Sequence, residues 1–162
     1  MLTDNQITEL VQTHGGGFQP HEFLSDRQKL NTDTVDFFIQ FRNWHNLTTQ
    51  ITSAWRTTGS HSTGQAIDFL FWQEWRKRQP DIQYMWRVVT TWPWMGIGIY
   101  FDWKDGVGFH VDTIPPADRL RPLRWIRSGR KYFYQSISDG LFYHNSGEST
   151  SLETEIQKYL KV

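Results

Sequence analysis

The sequence predicts an α+β fold, a small antiparallel sheet flanked by helices on one side. Three observations predict it. Residues 34–45 carry apolar side chains at helical spacing. Short apolar segments at residues 50–55, 66–71 and 96–101 have strand character. The last of these is followed by Asp105-Gly106, a hairpin turn signal, and by a returning strand at 107–113.

The elements follow in order. Residues 3–13 read as a short helix with Ile7, Leu10 and Val11 on one face. His14-Gly15-Gly16-Gly17 ends it, because three glycines do not sustain a helix interior. Residues 18–30 read as loop with a helical turn around Glu22. In the helix at 34–45, Val35, Phe38, Ile39 and the Phe41–Trp44 pair recur at helical spacing, and Asp33 or Thr34 can cap it. A strand at 50–55 leads into a Thr, Ser and Gly-rich loop at 56–64, then a strand at 66–71 carrying Asp68. Residues 72–78 look helical until Pro80 breaks the pattern, and Asp81 caps a helix running to about Thr91. Pro115-Pro116 terminates the 96–113 hairpin. Basic and aromatic residues then alternate from Arg119 to Tyr134, a hairpin turns at Ser138-Asp139-Gly140, and a helix closes the chain at about 151–160.

A chain of 162 residues, 38% hydrophobic with 11 Phe and 9 Trp, fits a single domain over 1–162 with a real core. No apolar run approaches the ~20 residues that span a bilayer, so no membrane partner is expected. The segment Met1-Leu2-Thr3-Asp4-Asn5 lacks the basic and apolar regions of a secretory signal. The absence of Cys excludes disulfides, Cys-based zinc fingers and a cysteine nucleophile. A formal net charge of zero gives no argument for nucleic acid. Gly15-Gly16-Gly17 lacks the Lys-Ser/Thr of a phosphate loop, and no G-x-S-x-G elbow occurs.

Chemistry concentrates in Ser60-His61-Ser62-Thr63-Gly64-Gln65-Ala66-Ile67-Asp68 and in Gly108-Phe109-His110-Val111-Asp112. Two imidazoles and a carboxylate form a borderline-soft donor set, for which zinc is the natural occupant. A loop followed by a strand can bring His61 and Asp68 to one point, and His110 sits on a strand that can lie beside Asp68. Asp112, two residues on, shares the face of His110 and can orient the imidazole or move a proton.

These residues resemble the M15 family of zinc D,D- and L,D-peptidases, which includes D-alanyl-D-alanine carboxypeptidases and phage endolysins and shares its fold with the hedgehog signalling domain. The family motif S-x-H-x-x-G-x-A-x-D is met by His61, Gly64, Ala66 and Asp68, with Gly59 in place of the serine. Thr52-Ser53-Ala54-Trp55-Arg56 is similar to its S-G-Y-R strand end. Gly96-Ile97-Gly98-Ile99-Tyr100 and His110-Val111-Asp112-Thr113 are similar to elements of its H-x-D branch. The resemblance covers about residues 22–125, leaving an appended hairpin and helix at about 126–162.

The resemblance implies Zn2+ on His61, Asp68 and His110, and Arg56 facing a substrate carboxylate or the oxyanion. It implies a monomeric enzyme hydrolysing peptidoglycan stem peptides or cross-links, made in the cytoplasm and acting on the cell wall, as a phage lysis protein does. Several branches carry an acid three residues before the second histidine; Val107 stands there, and no Glu occurs between Glu74 and Glu148. Asp112 is therefore the first choice for the proton-handling carboxylate, ahead of Asp102 and Asp105. The alternative is an inactive peptidoglycan-binding module with a structural zinc. Trp92, Trp94 and Trp103 flank the motifs and are candidates for stacking on substrate. Arg119, Arg121, Arg124, Arg127, Arg130 and Lys131 read as a solvated basic face.

Overall fold

Strand side chains alternate between the two faces of a sheet, and here that alternation separates an apolar face from a chemical one. The computed structural model describes residues 2–15, 18–23, 26–45, 47–72, 79, 81–115 and 123–161. Four helices are described: α1 (Asp4–His14), α2 (Thr32–His45), α3 (Ile82–Thr91) and α4 (Leu152–Tyr159). The strands are β1 (Thr48–Ser53), β2 (Ala66–Trp72), β3 (Gly96–Tyr100), β4 (Gly108–Asp112), β5 (Leu123–Ser128), β6 (Lys131–Gln135), β7 (Phe142–Tyr143) and β8 (Ser149–Thr150). They form one sheet in the order β1-β2-β4-β3-β5-β6-β7-β8.

The α+β class stands, but the sheet is larger than the sequence suggests. It has eight strands, and one pair, β3 with β5, is parallel. The hairpin expected at Ser138-Asp139-Gly140 is formed by β6 and β7, but it is not appended to the sheet. Strands β5 to β8 extend the sheet that holds β2, β4 and β3. The segment expected to be helical at 72–78 begins inside β2, since Trp72 is its last residue; residues 73–78 lie outside the described residues.

Register fixes what each face carries. Ile51, Phe69, Phe109, Ile99, Ile126 and Phe133 are directly paired across β1, β2, β4, β3, β5 and β6, and all six are buried. Each such burial is worth about 1.5–3 kcal/mol against exposure. A one-residue slip would turn the whole row to water. On this face α2 contributes Phe38, 5.2 Å from the Phe69 ring, and Phe41, 6.4 Å from that of Phe71. Met85, Val88 and Val89 of α3 and Ile156 of α4 join the same core.

Helix starts follow side-chain capping. Thr3 and Gln6 form a reciprocal capping box on α1. Asp81 accepts from the Tyr84 N–H at 2.9 Å, and Ser151 accepts from the Thr154 N–H. α2 starts at Thr32, so the residue that accepts from the Thr34 N–H is Asn31 rather than Asp33 or Thr34. Thr34 is instead buried, with its hydroxyl 2.6 Å from that of Thr113. No helix among the described residues is long and apolar enough to cross a membrane.

Candidate metal centre

The opposite face of the sheet holds three aligned rows. Asp68, His110, Gly98, Trp125, Tyr134 and Tyr143 are paired across β2, β4, β3, β5, β6 and β7. Ala66, Asp112, Gly96 and Leu123 form the row on one side of it; Leu70, Gly108, Tyr100, Arg127 and Tyr132 form the row on the other. Each row contains one glycine. A Cβ on Gly96 would strike the Asp112 carboxylate, one on Gly98 the Trp125 indole, and one on Gly108 the Trp103 ring. The three glycines leave a floor on which those larger side chains lie flat.

His61 arrives from outside the sheet, on a 3-10 turn spanning Gly59–Thr63 between β1 and β2. Gly64 ends the turn in the left-handed conformation, φ +72, and its N–H returns to the His61 carbonyl at 3.1 Å. A Cβ there would also lie 2.9 Å from the Asn31 nitrogen. The glycine of the H-x-x-G spacing is thus required by both backbone angle and space.

His61 Nε2, Asp68 Oδ1 and His110 Nδ1 converge. Their separations are 3.1 Å (His61 to Asp68), 2.7 Å (His110 to Asp68) and 3.3 Å (His61 to His110). Tetrahedral bonds of about 2.0–2.1 Å place ligand atoms roughly 3.3 Å apart, so the triangle matches such an ion with little movement. All three side chains are buried, and together they form a group that can hold a metal ion.

The remaining ring nitrogens set the tautomers. His61 Nδ1–H donates to the Ala54 carbonyl at 3.0 Å, which turns Nε2 toward Asp68. His110 Nε2 faces Asp112 Oδ2 at 3.4 Å, which turns Nδ1 toward Asp68. Arg56 Nη2 donates to Asp68 Oδ2 at 3.1 Å while half its side chain stays in solvent. Ala54, Asp112 and Arg56 thus orient the three converging side chains, as outer hydrogen-bond partners do around a metal.

Electrostatics agree with the geometry. Burial by itself would raise the Asp68 carboxyl, but hydrogen bonds from His110 and His61 outweigh it and hold the group well below the usual carboxylate range. Burial opposes charge on His110, yet Asp112 and Asp68 raise its pKa. Tyr100 is pushed above the usual phenol value, first by burial and then by Asp68, so it remains an O–H donor.

The site opens into a cleft of about 500 Å³ lined by Arg56, His110, Tyr100, Trp125, Tyr132 and Tyr134, with Thr58, Gly59 and Leu123 at its edges. That volume is in the range of small-ligand sites. Asp112 is beside His110 as expected, but its Oδ1 accepts from the Ile114 N–H at 3.2 Å and it is 4% exposed. It orients rather than lines the cleft.

The tryptophan expectation is corrected. Trp94 is fully buried on the helix-covered face, 4.8 Å from Phe37 and 5.5 Å from Phe41. Trp92 packs beside it, on Phe37, Phe41 and Trp44. Burial of large aromatic area won over the loop position that Pro93 suggested. Trp103 lies over Gly108 and stacks on Tyr100 at 5.0 Å, so it backs a cleft wall without forming it.

The aromatic residues that do form the wall are Tyr100, Trp125, Tyr132 and Tyr134. Their signal was the alternation Leu123, Trp125, Arg127 and then Tyr132, Tyr134, a strand period hidden among arginines. In the basic stretch, Arg127 pairs with Asp102 and Lys131 with Glu148; Arg119 and Arg121 lie outside the described residues.

Comparison with protein-family models, curated proteins and solved structures gives no match to this chain.

Proposed function

We propose that this chain is a zinc-dependent peptidase that hydrolyses peptide bonds in peptidoglycan stem peptides or cross-links. The observation that carries the reading is the convergence of two imidazole nitrogens and one carboxylate oxygen beside an open cleft that His110 lines. Three protein ligands beside an accessible position is the pattern of catalytic rather than structural zinc. The similarity of the motifs around His61 and His110 to zinc D,D- and L,D-peptidases supplies the substrate class.

His61, Asp68 and His110 would hold the ion, which supplies Lewis acidity and a nucleophile at neutral pH. The protein's own groups do the rest. Arg56, anchored on Asp68 and half in solvent, can hold a substrate carboxylate or the developing oxyanion. The neutral Tyr100 phenol offers a further donor in the wall. Asp112 keeps the His110 ring in its binding tautomer. The test is digestion of purified peptidoglycan, with new amine termini read by mass spectrometry. Release abolished by chelator and by His110→Ala is expected; release that survives both ends the proposal.

A second reading has one observation in its favour. No carboxylate is among the described residues lining the cleft, and Val107 is fully buried in the core. A wall-binding module with a structural zinc would bind sacculi and release no amine, and that outcome would select it.

A further inference from the structure

The wall-peptidase reading leaves half of the chemical face unused. Beyond Trp125 the central row continues onto Tyr134 and Tyr143, with Leu123 and Tyr132 in the flanking rows. Large apolar side chains normally leave water. These four stand out as 36% (Leu123), 40% (Tyr132), 42% (Tyr134) and 38% (Tyr143) exposed, all on one face. The helices that contribute to the core cover the opposite face.

The strip is continuous with the metal site. Trp125 lies across Gly98 with its ring 5.0 Å from that of His110, and the same cleft is walled by His110, Tyr132 and Tyr134. β6 is three strand spacings from β4, about 14 Å, so the strip starts near the ion and leads away from it.

The strip is also held in place. The Tyr143 hydroxyl donates to Asp139 Oδ2 at 2.7 Å. The Arg127 guanidinium sits 5.6 Å from the Tyr132 ring centre and 5.7 Å from that of Tyr100. A face of aromatic planes with hydroxyl edges, and no acidic group among the described residues lining its cleft, suits one ligand shape. A pyranose offers an apolar C–H face to stack on the rings and a polar rim for hydroxyls. An aliphatic partner would offer nothing to the Tyr132 and Tyr134 hydroxyls.

We propose that the face built by β5, β6 and β7 is a sugar-binding platform, seating N-acetylated pyranose rings of a wall glycan while the attached peptide crosses the metal. The substrate would then be glycan-linked peptide rather than free peptide. The identity of the sugar rests on the peptidase proposal, but the platform is read out by binding and not by hydrolysis.

The test uses the full-length, metal-loaded protein and peptide-free oligomers of N-acetylglucosamine and N-acetylmuramic acid, which contain no bond for a peptidase to cut. Saturable binding by calorimetry is expected, weakened at least tenfold by Tyr134→Ala and by Tyr132→Ala. Metal content and circular dichroism should match wild type in both variants, which separates lost contact from lost fold. Absence of binding, or equal binding by wild type and both variants, overturns the platform. Concentration-dependent dimerisation abolished by Tyr134→Ala also overturns it, by assigning the face to a second copy. Binding to these oligomers, with no amine released when purified peptidoglycan is digested separately, would sink the peptidase and leave the platform standing.

Discussion

Each histidine of the centre has one nitrogen committed to an acceptor and one left for an ion. For His61 the acceptor is the Ala54 backbone, which no substitution removes. For His110 it is the Asp112 side chain, so the orienting effect can be measured there. Asp112→Asn keeps an oxygen near Nε2 but removes the charge that favours the binding tautomer. Metal affinity should fall about 10–100-fold, read by competition with a chromophoric chelator, while the circular dichroism spectrum stays unchanged. An affinity equal to wild type would show that the carboxylate does not orient the ring. The group that can hold an ion was legible in the sequence, because a loop followed by a strand and a neighbouring strand leave few ways to arrange His61, Asp68 and His110. The inward fate of Trp92 and Trp94 was not legible. A Pro between them marks a loop, but only packing decides whether the rings beside it find other rings.

Among the elements, β3 is the one on which the site depends. It sits between β4 and β5 and carries Gly96 and Gly98 on the chemical face and Ile97 and Ile99 on the core face. Gly98→Ala places a methyl group inside the Trp125 indole, and neither partner strand can retreat without breaking the ladder. Overpacking of this kind costs about 1–3 kcal/mol. The urea midpoint should drop accordingly, and Trp125 fluorescence should shift as the ring leaves His110. A variant as stable as wild type, with unchanged fluorescence, would mean that the glycine floor is not needed. The hairpin of β3 and β4 was readable from Asp105-Gly106 and the apolar runs beside it. The parallel pairing of β3 with β5 was not, because no local turn encodes it. β5 also places only Ile126 fully in the core while Arg124 and Ser128 share that side, which blurs the alternation that marks a strand.

At the scale of the whole molecule, two histidines on opposite faces of the sheet respond to pH in opposite senses. His45, at the end of α2, packs between Phe41 at 4.3 Å and Phe71 at 5.2 Å. Its Nδ1 accepts from the Leu47 N–H at 2.9 Å, and burial lowers its pKa from 6.5 to about 4. Above pH 6.5 it is neutral whether folded or not and contributes nothing to the pH slope. As pH falls from there toward 4, the unfolded chain takes the proton first and stability is lost. At about 1.4 kcal/mol per pH unit this reaches on the order of 3 kcal/mol, less where residual solvent contact screens it. His110 has the reverse sign. Its folded pKa is raised, so in metal-free protein its contribution is present below the unfolded value and is lost as pH rises through the folded one. The two slopes oppose each other around neutrality. Urea unfolding in chelator between pH 7.5 and 4.5 separates them by comparing wild type with His45→Phe. The wild type should lose stability on acidification relative to the variant, with the gap widening down to about pH 4. A gap that is constant across the range would mean that His45 takes up its proton as readily in the folded core as in the open chain.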